Sequence, residues 1–498
     1  MNVVLAGATG DLAAKYLWVA LFRLSLESKL TSGRIFRFFA GASESLERGQ
    51  AWKESFFDEV FAERVCGSLG EKLEHGSTTQ IKCREFLETE FKASVQYSPL
   101  RTESHYRELG RRLKEMDEQF GNEEGRMVYL AIPPQFFRQS CELIHRYLRP
   151  RHLETGSAGP FLRVVVEKPF GQDLQSAREL ATHLRAIYNH DELYVMDHYA
   201  GKPVVRALRN YFKLNAAALH PMWSAEFIQD IHIEMTETAT LQNRVRYFDS
   251  AGIIRDIMVN HLQLLLNVAV APSFDPTIYT TSTLPSEYSQ RVHEAQLRFT
   301  AALRTPYQHS QYKQSLFVAQ YDEYAAHYEA DMDEHFDKSD HFTPTAAMIE
   351  LVSSLDEWRN TTFRIAAAKA TATRLLAITI TFRDGTFSNS EAHPCSFTVI
   401  IQRALNADSS HSHRMEWSCA IDKLVQELQL PDDWQYLNSE DHRVIIPTEV
   451  KSSLERDMKA VAWKLGDESS AYDILLREVA NGATEYFADL DEYMLPNP

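Results

Sequence analysis

The sequence predicts two domains: an α/β domain built on a parallel sheet, then an α+β domain with a large, mainly antiparallel sheet. Three observations carry this. At 498 residues the chain is too long for one ordinary core. Its N-terminal part alternates short apolar runs with amphipathic stretches, the pattern of successive βαβ units. Beyond about residue 194 the β-like runs are longer and come late, with an apolar helical stretch ahead of them. The expected domains are therefore 1–193 and 194–498.

The first element is a strand at Val3–Ala6, followed by the turn Gly7-Ala8-Thr9-Gly10-Asp11. Leu12 to Leu30 then carries Leu12, Tyr16, Leu17, Ala20, Leu21 and Leu24 at helical spacing. Further strands are expected at Ile35–Ala42, Met127–Ile132 and Phe161–Val166, with helices at Arg107–Phe120 and Gln135–Tyr147 between them. Thr155–Pro160 reads as a loop. Pro203, preceded by Gly201, marks a helix entry before the amphipathic run Val204–Leu214. In the second part, Phe227–Thr236 has a strand pattern and Gly252–Val270 reads as one strongly apolar helix. Asp322–Asp340 is acidic and aromatic and reads as a solvated helix or loop. Leu375–Phe382, Ser396–Arg403 and His442–Ile446 complete the expected sheet, and Asn406–His413 is a polar turn.

A net charge of −17 argues against a nucleic-acid binder and against a polybasic membrane anchor. No apolar run approaches the length of a membrane span. The five cysteines, Cys66, Cys83, Cys141, Cys395 and Cys419, are scattered and form no CxxC pair. Neither a zinc site nor a disulfide framework is expected, and a reducing compartment is. Met1 leads straight into Val3-Val4-Leu5-Ala6 with no basic segment, which points to the cytoplasm unless a targeting segment is absent from this sequence.

Four short constellations carry chemistry. Gly7-x-x-Gly10 closes a strand and opens a helix, so its amides can approach a pyrophosphate, as in a Rossmann-like dinucleotide-binding domain. It is not the full GxGxxG pattern, and Asp11 is expected to cap the helix rather than meet a phosphate. Glu167-Lys168-Pro169-Phe170-Gly171 ends a strand and puts Lys168 at the sheet edge where ligands bind, or simply makes a turn with a surface lysine. Asp197-His198-Tyr199-Ala200-Gly201-Lys202 packs a carboxylate, an imidazole, a phenol and an ammonium ahead of a helix N-terminus, which suits an anion. In Tyr247 to His261, the imidazole of His261 shares the apolar face of Ile257 and Met258; it is either a satisfied core histidine or a partly desolvated base. Lys369 and Arg374 flank a small-residue stretch before Leu375, as surface cations or as part of a phosphate clamp.

Taken together, these motifs resemble the glucose-6-phosphate dehydrogenase family from Gly7 to about Glu492, and Gly7–Phe22 is similar to the hexose-6-phosphate dehydrogenase branch. The resemblance implies oxidation of glucose 6-phosphate at C1 to the δ-lactone with hydride transfer to NADP, the first step of the oxidative pentose phosphate pathway. It implies His261 as general base and Asp197 as the carboxylate that orients it. It implies His198, Tyr199 and Lys202 as phosphate ligands, Glu237 and Asp256 as ligands of sugar hydroxyls, and Lys369 and Arg374 as substrate-side cations. Lys168 would touch both substrate and cofactor, while Gly7, Ala8, Thr9, Gly10, Asp11, Leu12 and Ser43 would line the dinucleotide. Gln402 matches a further family glutamine near the site. A homodimer or higher homo-oligomer is implied as well, and the branch resemblance offers the endoplasmic reticulum lumen as the alternative compartment.

Departures from the family pattern matter. Where NADP-preferring members carry an arginine after the second strand, this chain has Ser43 followed by Glu44; a carboxylate there suits a ribose 2′-hydroxyl and repels a phosphate. Lys15 and Arg48 are the cations that could compensate, so NADP is the family default and NAD remains open. Ala368 replaces the glycine ahead of Lys369, and Thr236 a common lysine. The alternative function is a catalytically inactive relative acting as scaffold or metabolite sensor.

Overall fold

The protein is described by a computed structural model covering residues 1–67, 83–121, 123–151, 160–171, 173–281, 285–306, 315–337, 342–387, 394–404, 414–418, 428–429, 434–437, 462–465 and 470–491. It divides into two compact units, Met1–Gly201 with Ser469–Met494, and Lys202–Glu468 with Leu495–Pro498. The single cut expected at 193/194 therefore takes a different form. The chain returns late to the first unit, and the boundary lies just before the helix that Pro203 opens.

In the first unit, β1 (Asn2–Ala6), β2 (Arg37–Ala42), β3 (Val95–Pro99), β4 (Arg126–Leu130), β5 (Leu162–Glu167) and β6 (Leu193–Met196) form one parallel sheet in the order 3-2-1-4-5-6. This is the doubly wound dinucleotide-binding topology, with its ligand crevice at the carboxyl ends of β1 and β4. Every residue of β1 and β4 is buried, because helices cover both faces of a parallel sheet. Val4, Val128, Val164 and Val166 meet Phe137, Cys141 and Ile144 of the helix Phe137–Tyr147 in its core. Gly7 adopts φ +83°, and a Cβ there would fall 2.0 Å from the Ala131 carbonyl oxygen, so only glycine fits.

The returning segment is tied to this unit by specific bonds. Its helix Ala471–Asn481 is capped reciprocally by Ser470 and Asp473 and ends at Gly482, φ +83°. Asp473 accepts from Arg23 at 2.6 Å, and Arg163 donates to the carbonyls of Val479 and Ala480. Arg185 binds both Asp489 and Asp491 at 2.7 Å.

The second unit is built on β7 (Ile228–Thr236), β8 (Leu303–Arg304), β9 (Leu316–Ala319), β10 (Ala346–Ser353), β11 (Thr362–Ala368), β12 (Arg374–Phe382), β13 (Ser396–Ala404) and β14 (Arg414–Trp417). Their order is 14-13-12-7-11-10-8, with β9 also paired to β10; β7 and β11 run parallel and the other pairs antiparallel. The α+β expectation holds. β10 and β11 go beyond the expected strands; β11 buries every second residue, Phe363, Ile365 and Ala367. The segment 322–340 is not solvated throughout: Tyr324 and Tyr328, on the helix Tyr324–Met332, are 0% and 2% exposed. The expected features at 155–159, 406–413 and 442–446 lie outside the described residues.

The cysteine expectation needs correction. Cys66 and Cys83 are joined in a disulfide across 5.8 Å between Cα atoms, and Cys395 is disulfide-bonded too. Cys141 is free and buried. Scattered spacing in sequence gave no sign of this, since pairing depends on where the fold brings two Cβ atoms. Among the described residues no helix is long and apolar enough to cross a membrane.

Candidate active site

The first unit supplies the glycine turn and a polar cluster at the carboxyl ends of its strands. Gly7 and Ala8 donate from their amides to the Gly41 carbonyl at 2.8 and 3.0 Å, which pins the turn to the end of β2. Gly10 closes it by donating to Gly7 at 3.0 Å. The helix that follows Asp11 presents amides with no carbonyl one turn below, the donor set a pyrophosphate requires. Asp11 does not cap this helix; its exposed carboxylate pairs with Lys15, one turn on. Thr9 is turned toward Glu44, its hydroxyl 3.5 Å from the carboxylate, while Leu12 lies in the helix and Ser43 is exposed after β2.

At the end of β5, the Lys168–Pro169 peptide is cis, and Lys168 reaches Asp197 at 3.2 Å. Asp197 follows β6, is 1% exposed, and also accepts from the Tyr199 amide at 2.9 Å. Lys168 is therefore no surface lysine, because its side chain is nearly as buried as its partner. Parallel neighbours β5 and β6 place the two side by side although 29 residues separate them. Beside them, Glu167 accepts from the Tyr129 and Tyr472 hydroxyls. Burial pushes its carboxyl up to about 7, with the nearby Asp197 charge adding to the shift. Tyr472, from the returning helix, lies nearly parallel to the His198 ring, with centroids 6.2 Å apart. His198 is half-buried and Tyr199 is 6% exposed.

The second unit holds further residues expected on the substrate side. Lys202 precedes Pro203, the first residue of the helix Pro203–Leu214, as the motif predicts. Glu237 and Lys369 follow the parallel strands β7 and β11, whose register sets Thr236 against Ala368. They form an ion pair at 2.6 Å, and Lys369 lies 5.6 Å from the Phe248 ring centroid. Arg374 opens β12 at the same end of the sheet and faces the Gln402 side-chain oxygen, 2.9 Å away with the amide oriented to accept. Three of the expected substrate-side residues thus gather at one sheet end.

The expected helix over Gly252–Val270 is present, but it is not uniformly α-helical. Gly252 takes φ +66°, ψ 166°, a π-helical stretch covers Ile254–Leu262, and an α-helix covers Gln263–Ala269. The wider turn changes which side chains share a face, as is common at functional sites. Ile257, Met258 and Leu262 are buried while His261 stays half-exposed, not a core histidine. Asp256, on the same stretch, accepts from the Tyr247 hydroxyl at 3.3 Å; burial and that carboxylate push the Tyr247 phenol up to about 12. Asp249 is structural, accepting from Tyr324 and Thr343 at 2.7 Å each. Sequence reading missed Glu167, Tyr129 and Tyr472; the carboxylate next to Lys168 was the one local signal.

Comparison with known proteins identifies the family of both units. Residues 4–207 match the family described as glucose-6-phosphate dehydrogenase, NAD binding domain, and residues 210–495 match glucose-6-phosphate dehydrogenase, C-terminal domain. The GDH/6PGL endoplasmic bifunctional protein of Oryctolagus cuniculus is 30% identical over 397 residues, 79% of this chain and 45% of that protein. Its Homo sapiens namesake is 26% identical over 493 residues, 98% of this chain and 57% of that protein. The chloroplastic glucose-6-phosphate 1-dehydrogenase of Nicotiana tabacum is 29% identical over 389 residues, 77% and 58% of the two chains. The chain spans about half the length of these curated relatives. A solved structure of glucose-6-phosphate dehydrogenase in complex with its substrate glucose-6-phosphate shares the fold, with a TM-score of 0.70 at 23% identity over 99% of this chain and 90% of that one. With both family domains matched in order along nearly its whole length, this chain belongs to the glucose-6-phosphate dehydrogenase family.

Proposed function

We propose that the protein oxidises glucose 6-phosphate, or a related hexose phosphate, at C1 to the δ-lactone with a nicotinamide dinucleotide as acceptor. The observation that carries this reading is the buried Lys168–Asp197 pair at the carboxyl ends of β5 and β6, in the sheet whose first turn is the glycine turn. A scaffold has no use for so costly a buried pair at a ligand crevice. The glycine turn from Gly7 to Gly10 would hold the dinucleotide, which would supply the acceptor for the hydride leaving C1. His261 takes the C1 hydroxyl proton on its imidazole nitrogen, which raises the electron density that expels hydride. The family likeness pairs Asp197 with that imidazole, to hold its orientation and stabilise the imidazolium. His198, Tyr199 and Lys202 bind the phosphate, and Glu237 and Asp256 accept from sugar hydroxyls. Lys369 and Arg374 supply positive charge on the substrate side. Family likeness makes NADP the default acceptor.

The test is reduction of NADP and of NAD by glucose 6-phosphate, followed by absorbance, with glucose as control. Turnover that depends on the phosphate supports the proposal; a folded protein inert with both dinucleotides favours the sensor alternative. Lys369→Met is expected to raise KM for glucose 6-phosphate about tenfold, with a smaller change in kcat, because it removes a charge-assisted contact. An unchanged KM takes Lys369 out of the substrate site.

The compartment belongs to the same proposal. The bonded state of Cys66, Cys83 and Cys395 supports the endoplasmic reticulum lumen over the cytoplasm, since cytosolic thiols are kept reduced. The likeness to proteins named as endoplasmic supports it too. Assembly as a homodimer or higher homo-oligomer would cover apolar surface such as Leu316, Phe317 and Val318 on β9, which are 42%, 54% and 39% exposed.

A further inference from the structure

The residues after β2 point away from the family's default acceptor. Ser43 is exposed and neutral, and Ser45 caps the helix Leu46–Ser55 by accepting from the Arg48 amide at 3.4 Å. Between them Glu44 is half-buried and held by two hydroxyls. Thr9, inside the glycine turn, donates to one carboxylate oxygen at 3.5 Å; Tyr97 shares its single proton between the Glu44 carbonyl at 3.0 Å and the other carboxylate oxygen at 3.4 Å. Tyr97 is itself fixed. It is 4% exposed on β3, and its ring is pressed so closely on Gly49 that a Cβ there would fall 1.9 Å from it. Its phenol is pushed up to about 12 by burial and by the Glu44 charge, so it stays a donor.

The carboxylate is thus anchored where a dinucleotide laid along the glycine turn places its adenosine ribose, because Gly7 and Ala8 bind the turn to Gly41 at the end of the same strand. Among the described residues no cation pairs with Glu44. Lys15 is taken by Asp11, and Arg48 is exposed on the first turn of the next helix.

We propose that Glu44 is a specificity-determining residue that accepts hydrogen bonds from the adenosine ribose hydroxyls of NAD(H) and repels the 2′-phosphate of NADP(H), so that this enzyme prefers NAD. This rests on the dinucleotide reading above. The ribose 2′-hydroxyl donates to a carboxylate oxygen and so replaces water without loss of a bond. A 2′-phosphate brings like charge against a carboxylate that two hydroxyls hold in place.

The test is equilibrium titration of NADH and NADPH, by nicotinamide fluorescence, into the full chain and its E44Q and E44A variants. Folding is checked by circular dichroism. The wild type is expected to bind NADH at least about tenfold tighter than NADPH, and both variants to close that gap about tenfold, mostly through tighter NADPH binding. Equal or tighter NADPH binding by the wild type, or a ratio unmoved in both variants, overturns the role of Glu44 and leaves the dinucleotide reading intact. If neither dinucleotide binds the folded wild type, the dinucleotide reading falls and this assignment falls with it. R48A is the control for the competing cation: a loss of NADPH affinity alone would transfer the 2′ site to Arg48 and overturn the assignment.

Discussion

Replacing His261 with Asn is expected to lower kcat about 10³-fold, the range for loss of a positioned general base, while affinity for glucose 6-phosphate changes only a few-fold. Asn keeps a polar side chain of similar reach but cannot hold a proton at neutral pH. The half-exposed setting of His261 on the π-helical stretch makes the variant tolerable for folding, since its side chain is not buried as those of Ile257 and Leu262 are. Steady-state kinetics and isothermal titration with the sugar phosphate separate the two effects. A kcat within tenfold of the wild type excludes His261 as the base. A parallel loss of substrate affinity and rate would make it a binding residue instead.

The second large effect is on stability and its pH dependence. Glu167 has a carboxyl raised to about 7, mainly by burial, above the value it takes in the unfolded chain. For an acid shifted upward, the folded state holds the proton more tightly. Its contribution is therefore fully present below about pH 4.5 and is lost as pH rises through about 7. The contribution is on the order of 3 kcal/mol. Glu167→Gln keeps an acceptor for Tyr129 and Tyr472 and does not titrate. The wild type should thus lose melting temperature relative to this variant between about pH 4.5 and about pH 7, with the steepest change near the middle of that range and a plateau above about pH 8. Parallel melting curves across that range would show that the carboxyl titrates in its ordinary range. Because Glu167 neighbours Lys168 and shares Tyr472 with the His198 ring, the same titration is expected to appear in the pH profile of KM.

Local signals in the chain account for a definite part of this. The run Val3–Ala6 and the turn Gly7–Gly10 announce a first strand and a ligand-facing turn because strand burial and positive φ are properties of a few adjacent residues. Pro203 marks its helix start for the same reason. The Glu-Lys-Pro-Phe-Gly and Asp-His-Tyr motifs were legible as chemistry, and the fold indeed brings Lys168 to Asp197. The π-helical stretch at His261 was not legible, since an apolar run does not distinguish a regular α-helix from one widened over Ile254–Leu262. Nor was the burial of Tyr324, whose hydroxyl answers Asp249 from 75 residues away.

By itself, then, the sequence determined the alternation of strands and helices, the glycine turn, the chemical groups available and the family to which they belong. The tertiary structure decided which groups meet. It set Lys369 on Glu237 through the parallel pairing of β7 and β11, and Tyr472 on Glu167 through the return of the last helix to the first unit. It joined Cys66 to Cys83, and it anchored Glu44 beside Thr9. The physical reason is one of range. Turn chemistry and periodicity are written in windows of a few residues, whereas a contact between distant residues depends on strand order and register, and through them on the packing of the whole unit.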